Sequence, residues 1–124
     1  MGEARASARA FGGRTGVTAP ELSAAEVAAA LGRGEVTAVD VREAGEWDAG
    51  HIAGAVWIPM GELPDRLNEL PGGPLAIVCR SGSRSGMVAD WLVRSGVDAS
   101  NMTGGMIAWQ ISSLPIEPVD GFVA

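Results

Sequence analysis

The sequence predicts an α/β chain built on a parallel sheet covered on both faces. Three observations carry that expectation. VTAVDV (36–41) is β-branched and apolar, and LAIVC (75–79) is a continuous apolar run, the pattern of a strand buried on both sides. The segments around these runs place apolar residues at helical spacing, so strands alternate with helices. The chain has 124 residues, enough for one core without disulfides or a structural metal.

Residues 1–16 (MGEARASARAFGGRTG) are small, polar and Gly-rich, and are expected to form a flexible tail ahead of a single domain over 17–124. Ser23-Ala-Ala-Glu26 is a capping box, with Leu22 and Val27 at the positions of a hydrophobic staple. Val27 and Leu31 mark the buried stripe of a short helix that Gly32 is suited to end. After the strand at 36–41, REAGEWDAG (42–50) reads as a turn and HIAGAVWIP (51–59) as a second extended stretch. Leu63, Leu67 and Leu70 recur at helical spacing before the Pro-Gly-Gly-Pro break at 71–74. LAIVC leads through RSGSRS (80–85) into a helix with Val88, Trp91 and Leu92 on one face, ending near Gly96. Val97 to Met102 returns as a short strand. Gly104-Gly105 then turns into a last helix with Ile107, Ile111 and Leu114 on one side, stopped by Pro115.

Composition narrows the function classes. All 9 basic residues are Arg, against 15 acidic ones, for a net charge of −6. Such a surface argues against nucleic acid or an anionic membrane as partner, and any anionic substrate must be held by a local positive cluster. No apolar run approaches the ~20 residues of a transmembrane helix, and the opening residues lack the apolar core of a secretory signal. With Cys79 as its one cysteine and His51 as its one histidine, the chain offers no intrachain disulfide and no Cys- or His-rich metal site. A cytoplasmic protein without cofactor or metal is expected.

Cys79 follows an apolar strand, and in a parallel α/β sheet the carboxyl ends of strands line the binding crevice. A lone cysteine in that position is more often an inert packing residue than a nucleophile. The loop argues otherwise, because two Arg and two Gly around a core thiol serve no packing purpose. Gly82 and Gly86 let backbone N–H groups turn inward as an anion cradle at a helix start. That helix terminus, with Arg80 and Arg84, favours the thiolate nucleophile. Arg84 and Arg80 are candidates to grip oxyanion oxygens, and Ser81, Ser83 and Ser85 to contact a bound sulfur.

Three segments together carry a resemblance. DVREAGEWDAGHIAGAVWIP (40–59), CRSGSRS (79–85) and NMTGGMIAW (101–109) resemble, in order, the signature blocks of the single-domain rhodanese-like sulfurtransferases, across roughly Val17 to Pro115. The resemblance implies a central, mostly parallel five-stranded sheet flanked by helices on both faces. It also implies that Cys79 carries a persulfide, that the amides of 80–85 surround its outer sulfur, and that Arg80 and Arg84 recruit an anionic donor such as thiosulfate. A thiophilic acceptor, cyanide or a thiol (a protein thiol included), then removes the sulfur. Four residues separate Cys79 from Arg84, whereas the related cysteine phosphatases and arsenate reductases have five and need a general acid. Sulfur transfer is therefore preferred over phosphatase or arsenate reductase chemistry. A partner-loaded persulfide carrier or sensor module is the principal alternative.

Asp40 and Arg42 end a strand on the same sheet edge as Cys79. A structural ion pair is the favoured reading; the functional version has Asp40 orienting a loop arginine, so that Asp40→Asn raises the donor KM with the fold intact. His51 opens an apolar segment and reads as a hydrogen-bonded structural residue rather than the partner of a Cys–His pair. Trp91 and Trp109 lie on apolar helix faces and are expected in the core, while Trp47 and Trp57 are candidates for the mouth of the site.

Overall fold

A computed structural model describes residues 17–124, so the expected tail over 1–16 lies outside the described residues. Five strands form one sheet: β1 (Glu21–Leu22), β2 (Thr37–Asp40), β3 (Val56–Trp57), β4 (Leu75–Val78) and β5 (Ala99–Met102). Their spatial order is β1-β5-β4-β2-β3, and every pairing is parallel. The helices are α1 (Ala24–Gly32), α2 (Ala44–Ala49), α3 (Ser83–Arg94) and α4 (Gly105–Ile111), with 3₁₀ turns at Met60–Asp65 and Leu67–Glu69.

The apolar run of β4 explains its central place. Leu75 and Ile77 pack into one core, with Leu63, Val88, Ala89 and Leu92. Ala76 and Val78 point to the other, with Val27, Met102, Met106 and Trp109. A strand that alternates between two apolar layers needs both faces covered, here by α3 on one side and by α1 and α4 on the other.

The α1 capping box forms as read, with the Ser23 hydroxyl accepting from the Glu26 amide at 3.1 Å and Glu26 accepting from the Ser23 amide at 2.8 Å. Gly32 remains within α1, and the left-handed residue that releases the chain is Gly34, at φ +70°. The segment read as a turn at 42–50 contains α2, a six-residue helix without a buried residue. The extended stretch at 51–59 narrows to β3 and one antiparallel bridge between His51 and Glu117. The leucines at 63, 67 and 70 lie on two short 3₁₀ turns rather than an α-helix. In α4, Met106 and Trp109 face the core, while Ile111 of the expected stripe is 78% exposed.

The chain runs outward from β2 to β3, then returns to β4 on the other flank of β2 before moving to β5. The topological switch point thus lies between the carboxyl ends of β2 and β4, where such sheets open their binding crevice. Asp40 and Val78 are register partners at that edge, and Cys79 is the next residue after β4.

Candidate active site

Cys79 is fully buried at the base of the loop that joins β4 to α3. Three donors converge on its Sγ: the Gly82 amide at 3.1 Å, the Ser85 amide at 3.3 Å and the Ser85 hydroxyl at 3.2 Å. Gly82 caps α3 at φ +100°, a conformation that suits glycine and turns its N–H toward the sulfur. The first-turn amides of Ser83 and Arg84 have no intrahelical acceptor, so the helix start adds donors and a positive dipole end beside the thiol. Two backbone amides of the loop thus point at the sulfur.

The loop is held from behind by α4. The amides of Met106 and Ile107 donate to the carbonyls of Cys79 at 2.8 Å and Arg80 at 3.0 Å. These bonds turn the loop carbonyls away from the sulfur, leaving N–H groups to face it. The close approach requires Gly105, where a Cβ would stand 2.5 Å from the Cys79 carbonyl oxygen. This is a physical role for the Gly-Gly turn that opens α4.

The side chains of the loop divide sharply. Arg84 is not open toward the sulfur: its two Nη atoms grip both carboxylate oxygens of Glu46 on α2, at 2.9 and 2.8 Å. That hydrogen bonding holds the Glu46 carboxyl down to about 2 against the opposing effect of partial burial. Arg84 is raised in turn, chiefly by Glu46, with Cys79 and Glu43 contributing through space. Arg80 is exposed and donates to the Ala124 carbonyl at 2.8 Å. The hydroxyls of Ser81 and Ser83 face each other at 3.4 Å, so Ser85 alone of the three serines brings its hydroxyl to the sulfur.

Asp40 and Arg42 form a sealed pair, with side chains 1% and 0% exposed and a closest contact of 2.8 Å. Arg42 also donates to the Gly50 carbonyl at 2.8 Å, and its Nη1 has no partner. Asp40 thus makes with Arg42 the structural ion pair that was the favoured reading. Both acceptor oxygens of Asp40 are taken by its neighbour two residues on.

His51 stacks on Trp47 with ring centroids 3.6 Å apart, and its Nδ1 lies 2.9 Å from the Trp47 carbonyl. Trp57 stacks on Trp47 from 5.9 Å and donates its indole N–H to the Arg42 carbonyl at 2.8 Å. These three rings stack beside α2, and His51 makes a hydrogen-bonding contact with the Trp47 carbonyl. Trp109 is in the core, its indole donating to the Pro115 carbonyl at 2.9 Å, and Trp91 is partly buried against α3's core.

Two site residues escaped the sequence reading. Glu46 occupies the third position of α2 and accepts from the Glu43 amide at 2.9 Å, so the Glu-x-x-Glu spacing was its signal. Asn101, on β5, is 2% exposed and contacts both the Ser85 hydroxyl and the Gly82 carbonyl. It opens the third resembling segment, 101–109, but no side-chain role was drawn from that position.

Among the described residues no cluster of His, Cys, Asp and Glu could hold a metal ion, and no helix is long and apolar enough to cross a membrane. The rhodanese-like domain family matches residues 23–112. The chain is 41% identical over 88 residues to an HTH-type transcriptional regulator of Mycobacterium tuberculosis, spanning 68% of this chain but only 38% of the regulator's length. It is 37% identical over 89 residues to a sulfurtransferase of Allochromatium vinosum, covering 70% of this chain and 83% of that one. A rhodanese-related protein of Thermoplasma volcanium superposes with a TM-score of 0.74 at 28% identity, over 78% of this chain and 96% of its own.

Proposed function

The chain belongs to the rhodanese-like domain family, and from that membership we propose that it is a sulfurtransferase whose Cys79 carries a sulfane sulfur as a persulfide. The observation that supports this reading most is the Cys79 Sγ at the centre of three converging donors, backed by a helix N-terminus. Such a cradle lowers the energy of an anionic sulfur without needing a general base.

Thiosulfate is the proposed donor. The Cys79 thiolate attacks its outer sulfur; the new S–S bond forms as the sulfur–sulfite bond breaks, and sulfite leaves with the electron pair. The negative charge then rests on the outer persulfide sulfur within the loop amides. An acceptor thiolate or cyanide attacks that sulfur, leaves as the persulfide or thiocyanate, and restores the Cys79 thiolate. The four-residue spacing from Cys79 to Arg84 and the bidentate hold of Glu46 on Arg84 both disfavour a phosphatase, which needs a wider loop and its arginine on the oxyanion.

Initial rates of thiocyanate formation, with thiosulfate and cyanide varied together, test the reading. Parallel double-reciprocal lines that vanish in Cys79→Ser are expected. No turnover by a reduced, alkylatable protein that nevertheless accepts sulfur from a persulfide donor would replace the thiosulfate enzyme with a partner-loaded carrier.

A further inference from the structure

Ser85 has one hydroxyl hydrogen and two acceptors competing for it. Its Oγ lies 3.2 Å from Cys79 Sγ and 2.6 Å from Asn101 Oδ1. A single O–H cannot donate along both directions. Asn101 is itself pinned, because its Nδ2 donates to the Gly82 carbonyl at 3.2 Å. Flipping the amide would set its oxygen against that carbonyl, so the donor pattern fixes Oδ1 on the serine side. All three groups are sealed from solvent: Ser85 and Cys79 are 0% exposed and Asn101 is 2% exposed.

We propose that Asn101 is a positioning residue for Cys79, acting through the Ser85 hydroxyl, whose one hydrogen follows the charge on Sγ. This rests on the sulfur-transfer reading above. When Sγ is a thiolate, the charge-assisted O–H···S contact draws the hydrogen toward the sulfur. When the sulfur has been taken up, the charge sits on the outer atom and Sγ is a neutral, weak acceptor. The hydroxyl then turns to Asn101 Oδ1 and is not left unsatisfied in the interior. Asn101 thereby keeps the loaded and unloaded states close in energy. Its second bond, to the Gly82 carbonyl, holds the residue whose amide completes the cradle.

The test uses two readouts that fail independently. The first is the pH dependence of Cys79 alkylation by iodoacetamide in the wild type, Asn101→Leu, Asn101→Asp and the same pair in a Ser85→Ala background. The second is the fraction of protein carrying an added sulfur at fixed thiosulfate, by intact mass. The charged groups of the neighbouring elements are unchanged in Asn101→Leu: Arg80 on the loop, Arg84 on α3, Glu46 and Glu43 at α2, and the Asp40–Arg42 pair at the end of β2. Without its competing acceptor the hydroxyl is committed to Sγ, so Asn101→Leu lowers the alkylation midpoint by about half a pH unit or more. The same variant lowers the loaded fraction several-fold, and its midpoint displacement disappears in the Ser85→Ala background. Asn101→Asp holds the hydroxyl more tightly and raises the midpoint, with part of the rise lost in Ser85→Ala. If Asn101→Leu does not fold, the Asp series carries the test. An unchanged midpoint in a folded Asn101→Leu, or for either variant an equal displacement with and without the Ser85 hydroxyl, overturns the proposal. A wild type that never gains sulfur counts against the sulfur-transfer reading, while the alkylation series still decides the link from Asn101 to Cys79.

Discussion

Two arginine–carboxylate pairs flank the same crevice, and they are built differently. Asp40–Arg42 is sealed at the end of β2, while Glu46–Arg84 ties α2 to α3 with side chains 20% and 31% exposed. Both are bidentate, so geometry does not separate them; water does. A sealed pair is strongly destabilising to break, since the surviving charge is stranded. A half-open pair exchanges with solvent and contributes little to stability. The first is buried beneath the site, and the second links α2 to the start of α3.

The largest expected effect follows from breaking the sealed pair. Asp40→Asn leaves the Arg42 charge buried without its counter-ion and costs about 3–5 kcal/mol, read as a fall in Tm or denaturant midpoint. A variant of unaltered stability with a raised donor KM would instead restore the idea that Asp40 serves a loop arginine. Glu46→Gln is expected to change stability by less than about 1 kcal/mol, since its pair is partly solvated. Its effect falls on binding: Arg84 is released and one negative charge removed, so the KM for thiosulfate drops by about fivefold, equivalent to about 1 kcal/mol. An unchanged KM would mean that Arg84 does not meet the donor. The smallest effect is in acid. Because Arg84 depresses the Glu46 carboxyl from 4.5 to about 2, the pair's contribution is complete above 4.5 and is lost as pH falls from there toward 2. The stability of Glu46→Gln therefore declines less steeply than that of the wild type over that window.

The same contrast explains what was legible in the sequence. Strands β2 and β4 announced themselves through apolar or β-branched runs, and the α1 capping box through four residues. Cys79 and its loop were visible because Gly and Arg beside a strand end have no packing use. Elements lacking an apolar stripe stayed hidden: β1 has only two residues, and α2 buries none. With α2 read as a turn, Glu46 was not matched to Arg84, and the arginine was assigned to the donor or to Asp40. The last helix shows a different failure. Of the expected stripe, Leu114 packs on the core from beyond the helix, but Ile111 is exposed, because the bonds from the Met106 and Ile107 amides to the Cys79 and Arg80 carbonyls set the helix's phase. Met106 and Trp109 face the sheet as a result. Backbone anchoring of this kind leaves no hydrophobic signature. Asn101 was hidden for a related reason, since its function depends on two long-range partners rather than on its neighbours in sequence.

The most direct test of the account is the intact mass of the reduced protein after incubation with thiosulfate, and again after cyanide is added. The account predicts a gain of one sulfur atom that is absent from Cys79→Ser and is stripped by cyanide. A gain that persists in Cys79→Ser, or that cyanide cannot remove, would contradict it.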